Sequence, residues 1–251
     1  MATHLAQALA PRISAVFSRS HERACALGSR IGVPGCSDFS RVAEFSPEYI
    51  IVSVSDKAVA GVASAIGALP GRPLVVHTSG TVGMELLSPI SDRVGVLYPL
   101  QTFSADVDVE MSRVPFFTET ASGDDLVLVD SLARLMSDKV HHADAAHRRV
   151  LHVAGVFSSN FPNVLLECVG RILSSAGYPL DVVRPLVEAT VAKAFDAGPH
   201  NAQTGPARRG DYEVIKRQFE SLPQDLRPVY AVLSDLILES HGLGPCDWRM
   251  S

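Results

Sequence analysis

Along the first half of the chain, short apolar runs alternate with stretches of helical periodicity. Ile13 to Phe17 reads as a strand closed by Ser18-Arg19-Ser20. A helix follows from about His21 to Ile31, with Ser20 as candidate N-cap and Gly32 as its stop. Tyr49 to Val54 is almost continuously apolar, the pattern of a strand buried on both faces. The next helix runs from Ala58 to Leu69 and ends at Pro70-Gly71. Leu74 to His77, Val94 to Tyr98, Pro115 to Thr118 and Lys139 to His142 read as further strands, the last of them at an edge. Met84 to Leu87 is a short helix, and Asp124 to Ser137 places Leu126, Val129, Leu132, Ala133 and Met136 on one side. Such alternation implies parallel pairing through helical crossovers, hence an α/β, doubly wound sheet.

The pattern changes near Asp144, after which only helical signals occur. Ala145 to Ala176 is one long stretch, with a kink or break expected near Ser158 to Pro162 because Pro162 lies inside it. Val182 to Ala197 is the next helix. A polar loop from His200 to Gly210 precedes helices at about Tyr212 to Leu222 and Leu226 to Ser240, and a frayed tail is expected from Gly242 onward. Two domains follow: an α/β domain over 1–143 and an all-α domain over 144–251.

Charge and composition narrow the function classes. Hydrophobic residues make up 47% of the chain and charged residues 20%, enough apolar material for real cores. A formal charge of −5 offers no basic field for a nucleic-acid backbone. Cys25, Cys36, Cys168 and Cys246 lie far apart with no zinc-ligand spacing, so reduced thiols are expected and no metal. With no membrane-spanning run and no signal sequence, a cytoplasmic location is expected.

The strand ends suggest a cofactor. In a Rossmann domain the first strand delivers a Gly-rich turn onto a helix N-terminus, which holds a pyrophosphate. Here Thr3 to Leu9 reads as that helix already under way, so the first strand and the Gly-rich loop are expected to be missing from the sheet. At the next strand end an NAD-preferring domain places Asp or Glu for the ribose 2′-OH. This chain has Ser18-Arg19-Ser20 instead, which suits the 2′-phosphate of NADP and equally suits a solvated turn with a helix cap.

With these pieces in place the chain resembles Rossmann-like proteins that carry a C-terminal helical domain of unknown function. Their wider superfamily holds 6-phosphogluconate dehydrogenase, pyrroline-5-carboxylate reductase and deazaflavin-dependent NADP oxidoreductase. The resemblance runs from Ala2 to about Leu238. It rests on Ala2-Thr3-His4-Leu5, Val54-Ser55-Asp56, His77-Thr78-Ser79-Gly80 and Tyr98-Pro99-Leu100-Gln101-Thr102-Phe103, and farther on His152 to Phe157, Ser159-Asn160-Phe161 and Gln203 to Asp211. It implies NADP binding at the first domain, homodimerisation through the helical domain, and oxidation or reduction of a small carbonyl, imine or hydroxy compound. A non-catalytic NADP sensor or scaffold on the same fold is the alternative.

Four segments are expected to converge beyond the strand ends. Val54, Ser55 and Asp56 lie where a cofactor ribose would pass, and Asp56 alternatively caps a helix. Thr78 and Ser79 bring hydroxyls toward a nicotinamide, or form a plain glycine turn. Gln101 and Thr102 offer donors and acceptors at substrate depth. On the long helix, related dehydrogenases carry a proton donor, often Lys, but no Lys occurs between Val140 and Lys193. His152 is the nearest substitute, since imidazole titrates near neutrality, and a structural histidine is the alternative. Ser159, Asn160 and Asn163 either orient a substrate or satisfy backbone groups freed at the kink. Arg208 is a candidate for a substrate anion, with Asp211 beyond it as a helix cap.

Overall fold

The computed structural model describes residues 1–104 and 107–248, and it divides into two compact units, Met1–Asn160 and Phe161–Ser251. The change to helices at 144 and this division differ by one helix, because the helix that follows the sheet packs with the first unit.

In the first unit α1 (Ala2–Ala8) leads through a 3-10 turn to β1 (Val16–Phe17), α2 (His21–Ile31) and β2 (Gly35–Cys36). Then come β3 (Tyr49–Val52), α3 (Val59–Ile66), β4 (Leu74–His77), β5 (Val94–Pro99), β6 (Phe116–Thr120), α4 (Gly123–Arg134), β7 (Val140–His142) and α5 (Ala145–Gly155). Strands β3 to β7 form one sheet in that order, with β3, β4 and β5 mutually parallel. The run β6–α4–β7 adds a second parallel pair. Strand β6 runs opposite to β5, a departure from uniform parallel order. The connection between them carries only a 3-10 turn, Met111–Arg113, among its described residues, and no crossover helix.

The sheet is covered on both faces because its residues alternate between them. Leu74, Val76, Leu97 and Phe116 pack with Leu5 of α1, with Leu9 just after it and with Val129, Leu132 and Ala133 of α4. Val52, Val75 and Val94 pack on the other side with Val59, Val62 and Ala63 of α3 and with Leu87 and Ile90. Strands β4 and β5 are buried at every position, as their apolar runs foretell.

Strands β1 and β2 stand apart as a separate parallel pair. Strand β2 carries no apolar pattern. It forms because Gly35 allows the strand to lie against the Ala24–Cys25 backbone of α2, where a Cβ would collide. Between β1 and β3 lies a cavity of about 1320 Å³, lined by Ala15, Phe17, Tyr49, Ile51 and Ser53 with Leu5 of α1. The backbone register explains it. Val16 and Ser18 donate toward β2, and the carbonyls of Glu48 and Val52 accept from Leu74 of β4 and from Thr78 just after it. Backbone groups alternate sides along a strand, so those of Ala15 and Phe17 face the cavity from one edge, and those of Tyr49, Ile51 and Ser53 face it from the other. The expected absence of one interior strand therefore has a physical counterpart: two parallel edges turned toward each other, with Tyr49, Ile50 and Ile51 only half-buried.

The expected break in the long helix is a π-helical turn over Val156–Asn160, between α5 and α6 (Phe161–Ser175). Pro162 lacks the N–H that would bond the Ser158 carbonyl, and the chain widens by one residue there. The second unit continues with α7 (Arg184–Ala197), α8 (Pro199–Ala202), α9 (Pro206–Arg209), α10 (Tyr212–Ser221) and α11 (Arg227–Ser240). Helices α8 and α9 correct the expectation of a plain loop over 200–210; each starts with proline after a glycine of positive φ, Gly198 and Gly205. The expected frayed tail is packed as far as residue 248: Trp248 Nε1 donates to Asp235 at 2.7 Å, and Cys246 lies buried with Ala207, Ile215 and Leu238. Residues 249–251 lie outside the described residues. Helices α6 and α7 bury no side chain, and Leu186 and Phe195 are 67% and 87% exposed. None of the helices is long and apolar enough to cross a membrane, among the described residues.

Candidate active site

The C-terminal ends of β3, β4 and β5 carry a group of polar residues, and α5 adds one more. At the end of β3, Asp56 opens a 3-10 turn, Asp56–Ala58, and does not cap α3, which begins at Val59 without a side-chain cap. Its carboxylate instead accepts a hydrogen bond from the Thr81 hydroxyl, reaching across to the loop after β4. Burial works to raise the Asp56 pKa. Hydrogen bonds from the Thr81 and Ser79 hydroxyls and the nearby imidazoles of His152 and His77 outweigh it, so the group lies below the ordinary carboxylate range.

The loop after β4 is held by its own side chains. Ser79 Oγ accepts from the backbone N–H of Thr81 at 3.1 Å and of Val82 at 3.3 Å. Thr78 is buried and donates to Ser53 Oγ at 3.3 Å, which ties the ends of β4 and β3 together. Gly80 lies against the Tyr98 ring, where a Cβ would come within 2.7 Å of Cζ, so only glycine lets β5 present Tyr98 at this point. The Tyr98 hydroxyl lies 3.4 Å from His152 Nδ1 on α5. Burial, with the Asp56 charge as a second cause, raises the Tyr98 pKa, so the phenol stays protonated.

His77 completes the cluster from beneath. It is fully buried, and its Nδ1 accepts from the Ser79 N–H at 3.2 Å. Burial, and secondly the Arg148 charge, push its pKa down to about 4 from 6.5. The unfolded chain therefore takes up this proton near pH 6.5, whereas the native state resists until about pH 4. Stability is full above pH 6.5 and is lost as pH falls toward 4, by about 3 kcal/mol. Urea unfolding at pH 7 and pH 4.5 should show that loss, and His77→Gln should flatten it; equal pH slopes in the two proteins would refute the assignment.

Among the other candidates, Ser20 caps α2 by accepting from the Arg23 N–H at 3.3 Å, and Ser18 Oγ accepts from the Ser20 N–H at 3.3 Å. Arg19 between them is exposed and makes no hydrogen bond or ion pair among the described residues. Val54 and Ser55 are exposed, and so are Gln101 and Thr102, whose side chain and N–H bond each other at 2.8 Å. His152 and Asn160 are exposed and Ser159 is half-buried. Asn163 and Arg208 belong to the second unit, where both are exposed. Asp211 makes no side-chain cap to α10; it pairs with Arg209 at 2.9 Å. Of the neighbouring histidines, His142 meets Asp130 at 2.8 Å, His147 meets Asp144 at 2.8 Å, and His141 stacks on Phe117.

Sequence reasoning therefore brought Asp56, Ser79 and His152 toward one place and missed Thr81 and Tyr98. Tyr98 had a signal, since it is the polar-tipped residue that ends a wholly apolar strand. Thr81 had none beyond its place after a glycine.

The model of the family described as Domain of unknown function (DUF2520) matches residues 114–237, from β6 to α11. No curated protein matches the chain. Among solved structures, a provisionally named NADP oxidoreductase from Bacteroides fragilis is 34% identical over 95% of this chain and 94% of its own, with a TM-score of 0.86. A Thermotoga maritima protein, TM1727, is 23% identical over 96% of each chain, with a TM-score of 0.80. The imine reductase of Myxococcus stipitatus, in complex with NADP+, shares the fold at 12% identity and a TM-score of 0.57, over 95% of this chain and 89% of its own. The chain belongs to one family with the Bacteroides fragilis protein, and its residues 114–237 match the DUF2520 model.

Proposed function

We propose that this chain is an NADP-dependent oxidoreductase that moves a hydride between the nicotinamide and a small carbonyl, imine or hydroxy compound. The observation that carries the cofactor choice is Arg19, an exposed guanidinium with no partner among the described residues, flanked by Ser18 and Ser20 at the C-terminal end of β1. A free fork and two hydroxyls are the groups a 2′-phosphate needs, and an NAD site would have a carboxylate there. The full-length likeness to the Bacteroides fragilis protein and the NADP+ named with the Myxococcus stipitatus enzyme support the same reading.

The residues fit such a cofactor in three places. Ser18, Arg19 and Ser20 would hold the 2′-phosphate. Val54 and Ser55, after β3, would border the ribose, and Thr78 and Ser79 would shape the loop after β4 beside the nicotinamide. When bound, the cofactor would supply a hydride. The Tyr98 hydroxyl and the exposed His152 imidazole, 3.4 Å apart, are the two groups assigned to exchange a proton with a substrate heteroatom. Ser159, Asn160 and Gln101 with Thr102 are the residues assigned to orienting the substrate.

Fluorescence titration with NADPH and NADH in parallel tests this reading. NADPH should bind about 10–100-fold more tightly, the worth of one charge-assisted hydrogen bond that NADH, without the 2′-phosphate, does not form. Arg19→Ala should remove most of that preference while leaving NADH binding unchanged. Equal affinity for the two cofactors, or a preference that survives Arg19→Ala, would rule the assignment out.

A further inference from the structure

Strands β5, β6 and β7 carry rings at directly paired positions. Tyr98 of β5 lies opposite Phe117 of β6, and Phe117 lies opposite His141 of β7. Paired residues project from the same face of a sheet, so the three side chains form one ladder. Ring centroids are 6.4 Å apart from Tyr98 to Phe117 and 5.4 Å apart from Phe117 to His141, where the planes stack at 29°. The flanking residues of β6 turn to the other face: Phe116 is buried with Val129 and Leu132 of α4, and Thr118 donates to Asp130 of α4. Burial falls along the ladder. Tyr98 is buried, Phe117 is half-buried, and His141 is exposed on the edge strand. Helix α5 packs on this face through Arg148, which meets Glu119, and through His152, whose ring lies 6.5 Å from that of Tyr98.

An edge strand open to water ordinarily carries charged side chains. Here the outer end of the ladder is an imidazole stacked on a phenyl ring. The two carboxylates beside β6 are engaged elsewhere: Glu119 accepts from Arg148, and Asp130, on the opposite face, is held between Thr118 and His142. The ladder itself offers rings and no carboxylate, ammonium or guanidinium, which suits an uncharged planar group. Neighbouring strands lie about 4.8 Å apart, so the ladder extends about 10 Å from Tyr98 to His141. It begins at the groups assigned to the proton, the Tyr98 hydroxyl and His152 Nδ1, which are 3.4 Å apart. A heteroatom held by those two groups places a substituent about one interstrand step away, over Phe117.

Resting on the hydride-transfer reading above, we propose that Phe117 and His141 form a subsite for an aromatic ring, so that the substrate carries an aryl group a short chain away from its reacting carbon. Phe117 gives the ring a partner for offset-stacked or edge-to-face contact, and His141 extends that contact toward the edge of the sheet. The ring takes no part in bond making. It decides which substrates place their reacting carbon beside Tyr98 and His152, and Phe117 is the specificity-determining residue. Planarity is the property recognised. A saturated ring of the same size buries at least as much apolar surface, so burial alone would favour it or leave the two equal.

The test uses the full chain with oxidised NADP at saturation and two probes of one skeleton, benzylacetone and its ring-saturated counterpart. Binding is followed by NMR through the imidazole resonances of His141 and His152 and the ring resonances of Phe117. Benzylacetone should bind about 2–10-fold more tightly, the worth of one aromatic pair, and its ring current should move the His141 resonances. Phe117→Leu keeps an apolar side chain and removes the ring, so it should bring the two affinities together. Phe117→Tyr should keep the preference. The saturated ketone should bind the parent chain and Phe117→Leu alike, which separates loss of the ring from a folding defect. Equal affinities in the parent chain, no binding of benzylacetone, or a preference that survives Phe117→Leu would overturn the proposal. NADPH affinity, measured separately by fluorescence, distinguishes the two levels: its absence defeats the oxidoreductase reading, whereas NADPH binding without a preference for benzylacetone defeats only the ring subsite.

Discussion

Joining an extended apolar strand of about five residues and a Gly-x-Gly turn to the front of α1 is expected to raise the melting temperature by about 10 °C and to tighten NADPH binding by at least 10-fold. The reason lies in the divided sheet. Ala15 and Phe17 on one edge, and Tyr49, Ile51 and Ser53 on the other, turn their backbone N–H and C=O groups into a cavity of about 1320 Å³. A strand lying there parallel to both neighbours pairs with each edge. Each new hydrogen bond contributes about 0.5–1.5 kcal/mol net, and each apolar side chain buried about 1.5–3 kcal/mol. Ordering the added residues offsets about 1–2 kcal/mol apiece, leaving a gain on the order of 3–5 kcal/mol. At about 2–4 °C per kcal/mol for a domain of this size, the melting shift follows. A strand–α1–β1 connection is also the right-handed crossover that parallel neighbours require. Differential scanning calorimetry of the two forms gives the answer, with an extension carrying proline at its central position as control. Equal gains from both extensions would show that the cavity does not accept a paired strand.

The same strands show how far the fold could be read from the chain. Tyr49–Val52, Leu74–His77 and Val94–Pro99 are continuous apolar runs, and such runs mean parallel strands covered on both faces. Strand β2 was illegible because two residues, Gly35 and Cys36, pair with β1 through backbone alone. Helices α8 and α9 escaped for a similar reason, since four residues are too few for a periodicity to register. The break in the long helix could be placed from Pro162, but its form as a π turn depends on how the neighbouring turns settle. In the candidate site, the residue types at the strand ends were visible and their meetings were not. Tyr98 and His152 are 54 positions apart, and Asp56 and Thr81 are 25 apart. Only the stacking order of the strands brings them together. A lone aspartate before a helix reads as a cap until the partner across the sheet is known.

Arg148→Met is expected to destabilise the first unit by about 3–5 kcal/mol, because it removes one partner of a buried ion pair and leaves the other without its charge. The Arg148 side chain is completely buried. Its guanidinium donates to the Glu119 carboxylate at the end of β6, to the Ala143 carbonyl at 3.1 Å and to the Val82 carbonyl at 3.1 Å. One side chain thus joins β6, the β7–α5 junction and the loop after β4. Methionine fills much of the volume but satisfies none of these acceptors. Lysine keeps the charge yet offers a single ammonium where a planar fork reaches three oxygens, so Arg148→Lys should recover less than half of the loss. Pairing Arg148→Met with Glu119→Gln should cost less than the sum of the single changes, since the second removes the charge that the first strands. Guanidinium unfolding of these variants beside the parent chain measures this, and a loss below about 1 kcal/mol for Arg148→Met would mean that the buried pair contributes no more than a surface one. The consequence reaches the candidate site. Arg148 and His152 stand one helical turn apart on α5, so the anchor that holds α5 to β6 also sets where the imidazole meets Tyr98. Arg148→Met should therefore broaden or shift the His152 imidazole resonances even at temperatures where the unit remains folded, a change that a purely peripheral ion pair would not produce.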